Sequence, residues 1–227
     1  INSGPDNLKT VPPHDIMGCP IEEHLPTGLG SQQICGIMNS AEKILLESSI
    51  NADRIRRGQL PANAIWLWGS GKALDLPSLN VKYSFCGGVI SAVDLVRGIG
   101  SCAGLRVVNV PGATGYLDTN YSGKAEYALQ ILQDENFVYL HIEAPDEAGH
   151  NGDVYAKIKA IEDIDTYVVG SLVKGFSSLG PCRLLVTPDH PTPIKLRTHS
   201  RDPVPFLLWG QDVEPDSVNC YSEKAAL

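Results

Sequence analysis

The sequence predicts an α/β fold: a largely parallel sheet with flanking helices. Three observations lead there. Short apolar runs alternate with amphipathic stretches along most of the chain, the order in which parallel strands and their crossover helices follow one another. Most runs are only a few residues long and rich in Val, Ile and Leu, which suits strands buried on both faces. The segments densest in Asp and His stand directly after two of them, where open α/β sheets collect functional residues.

Each element has its own signal. The first thirty residues are rich in Pro and Gly, lack periodicity and read as an ordered loop or the tail of a domain begun upstream. Ser31 opens a helical stretch with Ile34, Ile37, Met38, Ala41, Ile44 and Leu45 at three- and four-residue spacing. Asn63–Gly69 (NAIWLWG) reads as a short buried strand. Gly88–Ser91 is expected as strand, Asp94–Cys102 as helix and Arg106–Val110 as strand. Ser122 is expected to cap a helix running to about Gln133, and Phe137–Glu143 (FVYLHIE) to form a strand. Asp153 to about Ser177 reads as a long amphipathic helix with Ile158, Ile161, Ile164, Val168 and Leu172 on its buried face. Arg183–Val186 and Val204–Trp209 complete the set as strands. A domain boundary is expected near residue 70.

Composition narrows the function classes. A net charge of −8 argues against nucleic acid, whose phosphates call for clustered Lys and Arg. No apolar run approaches the ~18 residues of a membrane span, and no basic segment followed by an apolar one marks a signal peptide. None of the six cysteines forms a CxxC pair, so they read as free thiols of a reducing cytosol, and a cytoplasmic location is expected. An acidic protein that binds an anionic substrate would draw local positive charge from a few basic residues or from metal ions.

Two strand ends carry the candidate chemistry. In APDEAGHNGD (144–153), Asp146 and His150 lie four residues apart on a Gly-containing turn. A carboxylate and an imidazole at that spacing suit one divalent ion. A helix cap (Asp146 or Asp153) with His150 as a solvated loop residue is the plainer alternative. In TPDHPTP (187–193), Asp189 and His190 are adjacent and held by three prolines, a stiffness that suits preorganised ligands as well as a Pro-rich turn. His199 follows nine residues after His190. Together the segments offer two carboxylates and three imidazoles, more than one tetrahedral ion needs and appropriate to part of a two-metal phosphoryl-transfer site.

These segments, with His199, resemble the metal-binding segments of the alkaline phosphatase superfamily. PPHDIMG, INADRIRRGQLPANAIWLWGSG, ISAVDLVRGIG and VPGATGYLDTNYSGKAEYAL resemble one branch, the archaeal-type cofactor-independent phosphoglycerate mutases, and the likeness runs over nearly the whole chain. The resemblance implies interconversion of 3-phosphoglycerate and 2-phosphoglycerate, a small phosphorylated substrate, through a phosphoenzyme and without bisphosphoglycerate. It implies two divalent ions, manganese or zinc. Asp146, His150 and His199 would hold one ion and Asp189 and His190 the other. A further Asp and the Ser or Thr nucleophile belong to an N-terminal stretch that no segment here matches, so the chain alone is expected to be inactive and the missing N-terminal part to be its partner. Ile1 in place of Met fits a sequence that continues upstream. Residues 1–70 resemble the end of an inserted substrate-binding domain, and 71–227 the C-terminal part of the metal-binding core.

His14, Asp15, Arg54 and Arg97 are candidates for gripping phosphate and carboxylate, arginine through bidentate hydrogen bonds; surface salt bridges are the alternative. Lys124 and Thr119 read as structural, and His141 as a core residue or one standing behind the ligands. A phosphohydrolase of the same superfamily would share the ligands, and a non-catalytic truncated binding module is the alternative outside enzymes. A kinase is disfavoured by the absence of a GxxxxGK[ST] loop.

Overall fold

The computed structural model describes residues 4–5, 7–72 and 74–225, and the chain divides between residues 74 and 75 into two compact units. In the first, β1 (Leu8–Lys9) and β2 (Thr27–Gly28) pair antiparallel. Between them a 3₁₀ turn, Pro13–Ile16, carries His14 and Asp15. Helix α1 (Ser31–Leu46) buries Ile34 and Met38, but Ile44 of the expected apolar stripe is largely exposed. Helix α2 (Ser49–Arg56) is tied to the following segment by the buried Asn51, whose side chain bonds Leu45 O, Ala62 O and Ala62 N. The NAIWLWG segment is not a strand. It lies along residues 10–11 through Trp66 Nε1 donating to Val11 O and Gly69 N donating to Thr10 Oγ1, side-chain bonds that stand in for a backbone ladder.

The second unit begins with the short helix α3 (Leu79–Tyr83), then β3 (Gly87–Ile90), α4 (Asp94–Cys102) and β4 (Arg106–Val108). Next come α5 (Tyr121–Asp134) and β5 (Phe137–Leu140). Strands β4, β3 and β5, in that order, form a parallel sheet, so their C-terminal ends share one edge. Asn120, not Ser122, caps α5: its Oδ1 accepts from Gly123 N at 2.8 Å.

Strand β5 stops at Leu140, short of the expected Glu143, and helix α6 (Ala144–Asn151) begins past residues 141–143 and ends at Gly152, whose φ of 70° suits glycine. Asp153 then caps α7 (Val154–Asp163), accepting from Ala156 N. A π-helical segment, Ile164–Val169, joins α7 to α8 (Gly170–Phe176). It changes which residues face inward. The buried row is Ala160, Val168, Leu172 and Phe176, with Ile164 packed against it, whereas Ile158 and Ile161 are about half exposed. Wider π turns hold more residues each, which keeps a four-residue spacing on one side.

Strands β6 (Arg183–Val186) and β7 (Leu207–Gly210) pair antiparallel as a separate two-stranded sheet, so among the described residues the parallel sheet has three strands. The core lies between the parallel sheet and α5, α7 and α8, around Ile90, Val108, Ala125, Ile131, Ala160 and Leu172, with Leu184 of β6 packed against it. Among the described residues, no helix is long and apolar enough to cross a membrane.

Candidate metal centre

Helix α6 does what its sequence spacing requires: Asp146 in its first turn and His150 in its last lie on one face, with His150 Nε2 3.3 Å from Asp146 Oδ2. The segment is a full helix rather than the expected turn. His199 arrives from the far side of a closed loop. Leu196 N and Arg197 N both donate to Pro193 O, and Ser200 N donates to Pro191 O, so the chain returns and brings the His199 ring to 3.8 Å from that of His190. His199 Nε2 is 3.5 Å from Asp146 Oδ1 and 3.1 Å from His150 Nε2.

Asp146, His190 and His199 thus offer ligand atoms all within 4.8 Å of one another, and His150 adjoins them. Asp189 stands next to this group: its Oδ2 lies 3.6 Å from His190 Nε2, and its Oδ1 accepts from His190 N. The structure brings Asp146, His150, His190 and His199 together, while Asp189, more exposed, contacts the adjacent His190.

The donor chemistry suits a divalent cation. His150 Nδ1 lies 2.9 Å from Arg197 O, and a carbonyl only accepts, so Nδ1 carries the proton and Nε2 presents a lone pair to Asp146 and His199. The backbone is bent to achieve this, with Arg197 at a φ of 56°, in the left-handed region that a bulky residue enters only under constraint. A carboxylate and imidazole lone pairs turned toward one point fit a divalent cation.

Behind the cluster lies a layer of which the sequence marked only His141, as a core residue or one standing behind the ligands. Thr192, buried between two prolines, donates its hydroxyl to Asp146 Oδ1, and Lys157 Nζ donates to Thr192 O at 2.7 Å. Ser91, at the end of β3, accepts from Val93 N and places its Oγ 3.2 Å from His141 Nδ1, while His141 Nε2 is 3.2 Å from Glu143 Oε2. Burial lowers the His141 pKa, so the ring is neutral, taking the Ser91 hydroxyl at Nδ1 and donating from Nε2 to Glu143. Burial, then Asp146 and Asp189, push the Glu143 carboxyl up. Lys124 is wholly enclosed; its ammonium donates to His141 O at 3.4 Å, and burial pushes it down to about 8 against the opposing pull of Glu143. Its place near the start of a helix suggested a structural role, and the fold encloses it against the His141 carbonyl.

The substrate candidates have partners of their own. Arg97 on α4 donates to Asn109 Oδ1 at 2.7 Å, just past the C-terminal end of β4. In the first unit, His14 meets Trp68 edge-on at 5.4 Å and lies 4.0 Å from Asp15, while Arg54 Nε donates to Leu60 O.

Close approach of the two loops depends on Gly149. A Cβ there would meet Thr192 O at 2.5 Å, and that carbonyl is backbone held by Lys157. Gly149→Ala is expected to destabilise the chain by about 1–3 kcal/mol through overpacking, and to weaken zinc binding by moving Thr192 and His190 away from α6. Urea unfolding with a parallel zinc titration checks both; unchanged affinity would show that the loops bind metal independently.

A sequence model of the Metalloenzyme superfamily matches residues 27–226. The 2,3-bisphosphoglycerate-independent phosphoglycerate mutase of Methanothrix thermoacetophila is 53% identical over 217 residues, covering 95% of this chain and 55% of that protein. The structure of a Pyrococcus horikoshii protein superposes with a TM-score of 0.72 at 29% identity, over 86% of this chain and 52% of the other. The cofactor-independent phosphoglycerate mutase from Thermoplasma acidophilum gives 0.52 at 25% identity, over 92% and 51%. The chain spans about half the length of the curated relatives it matches. With the match covering most of the chain, this protein belongs to the Metalloenzyme superfamily.

Proposed function

We propose that a protein of the relatives' full length containing this chain interconverts 3-phosphoglycerate and 2-phosphoglycerate through a phosphoenzyme, without bisphosphoglycerate. The observation that carries this reading is the convergence of Asp146, His150, His190 and His199 beyond two strand ends, in a chain whose relatives bear that name. Asp146, His150 and His199 would hold one divalent ion, manganese or zinc, and Asp189 and His190 part of the shell of a second. Such ions neutralise charge on a phosphoryl group in flight. The nucleophilic Ser or Thr and a further Asp would come from the part of the relatives that this chain does not match.

The chain's own residues would divide the remaining work. Arg97 would grip the phosphate or carboxylate as a fork of donors, as would Arg54 of the first unit. Asp15 would orient His14 or meet a substrate hydroxyl. Shielding the phosphoenzyme from water while glycerate reorients would fall to the unit carrying His14, Asp15 and Arg54.

The experiment is an assay of the full-length protein with 3-phosphoglycerate and no bisphosphoglycerate. Formation of 2-phosphoglycerate is expected, and His150→Ala should lower the rate by at least ~1000-fold by emptying a metal position. Inorganic phosphate released without any isomer would replace the mutase reading with a phosphohydrolase of the same superfamily.

A further inference from the structure

Thr192 is 4% exposed, and its hydroxyl touches groups from both halves of the cluster: Asp146 on α6 and, at 3.4 Å, His190 Nδ1. An ionised carboxylate only accepts, so the hydroxyl hydrogen goes to Asp146 Oδ1. What remains for His190 is a lone pair on the hydroxyl oxygen, which only an Nδ1–H can meet. We propose that the Thr192 hydroxyl is a positioning group that orients the Asp146 carboxylate and selects the Nδ1–H tautomer of His190, leaving His190 Nε2 as the lone pair offered to a cation. The proposal rests on reading the cluster as a metal site and assigns that site its organising residue.

The tautomer of His190 is contested, which gives the hydroxyl something to decide. Asp189 Oδ2 lies 3.6 Å from Nε2 and favours a proton there. The Asp189 side chain is 62% exposed, so solvent weakens its pull. Thr192 is buried and fixed on its other side, since its carbonyl accepts from Lys157 Nζ and packs over Gly149. Without the hydroxyl, His190 would turn its Nε2–H to Asp189 and withdraw a ligand, and Asp146 Oδ1 would lose its donor. His150 has no such dependence, because the Arg197 carbonyl fixes its tautomer.

Zinc titration by calorimetry on this chain, with Thr192→Val and Thr192→Ser, tests the first half. Groups that orient metal ligands are typically worth 10–100-fold, so Thr192→Val should weaken zinc binding by about that factor and Thr192→Ser should stay within about threefold of the parent. Nitrogen-15 NMR of the histidines in the metal-free chain tests the second: in Thr192→Val, His190 should shift from Nδ1–H toward Nε2–H while His150 keeps Nδ1–H. Thr192→Ala carries the same comparison if the valine variant does not fold. Parent-like zinc affinity in Thr192→Val, an equal loss in Thr192→Ser, or an unmoved His190 tautomer would each overturn the proposal. If the parent chain binds no zinc, the metal reading itself falls, and the tautomer comparison alone decides the role of Thr192.

Discussion

Asp146→Ala is expected to reduce the zinc affinity of this chain by more than about 100-fold, a larger loss than any other single substitution in the cluster. Asp146 is the carboxylate on which the imidazoles converge: Oδ2 faces His150 at 3.3 Å, Oδ1 faces His199 at 3.5 Å, and Thr192 donates to Oδ1. Its removal leaves imidazoles facing one another with only the exposed Asp189 to balance a bound dication. It also strands the buried Thr192 hydroxyl, which should destabilise the metal-free chain by about 1–3 kcal/mol. Asp189→Ala is the informative contrast. Asp189 is exposed, meets His190 Nε2 only at 3.6 Å and otherwise closes its own turn, so its loss should weaken binding less. Calorimetric titration of both variants with zinc decides the order. Parent-like binding by Asp146→Ala would mean that the zinc titrated is held elsewhere and that the Asp146 cluster is a hydrogen-bonded group and not its site.

What could be read from sequence followed the range over which the signal acts. Asp146 and His150 were visible as a pair because a carboxylate and an imidazole four residues apart, just past a strand, suit one ion, but the turn expected there is a helix, Ala144–Asn151. Asp189 and His190 were visible because a strand ends just before them. That His199 joins them depends on the Ser200 N to Pro191 O closure, a loop geometry that spacing does not encode. Thr192 looked like one more residue of a Pro-rich turn, since its value comes from Asp146, 46 positions away. The fold shows the same division. Alternation correctly marked β3, β4 and β5 and the helices between them, but whether β6 and β7 join that sheet or pair with each other is not written in their apolar pattern. The NAIWLWG run failed as a strand because an apolar run alone does not supply a backbone partner. The face of the long helix shifted because nothing in Ile158, Ile161 and Ile164 announces a π segment beyond them.

Lys124 is the residue whose reading changes most, and paired substitutions there should have opposite effects. Its side chain is 0% exposed in the first turn of α5, where the helix dipole adds to the disadvantage of a positive charge. The ammonium donates to His141 O at 3.4 Å and feels Glu143, but burial prevails and pushes its pKa from 10.5 down to about 8. Lys124→Ala leaves a cavity at a fully enclosed position and should cost about 2–5 kcal/mol of stability. Lys124→Met keeps the length and removes the buried charge, so at pH 7 it should be within about 1 kcal/mol of the parent or more stable. The pH dependence separates charge from shape. Between about 8 and 10.5 the unfolded chain holds more protons on this lysine than the folded chain does, so folding of the parent becomes more favourable as pH rises through that window. Below about 8 the full penalty of the buried cation is present and this group contributes no slope. Urea unfolding of parent and Lys124→Met at pH 7, 8, 9 and 10 should therefore show the parent gaining on the variant only over the upper part of the range. In the full-length protein Lys124→Met should still lose activity, because Glu143 would no longer have a cation behind it. A stability difference that stays flat from pH 7 to 10 would show that Lys124 keeps an ordinary pKa, and would remove the argument that a buried positive charge underlies the site.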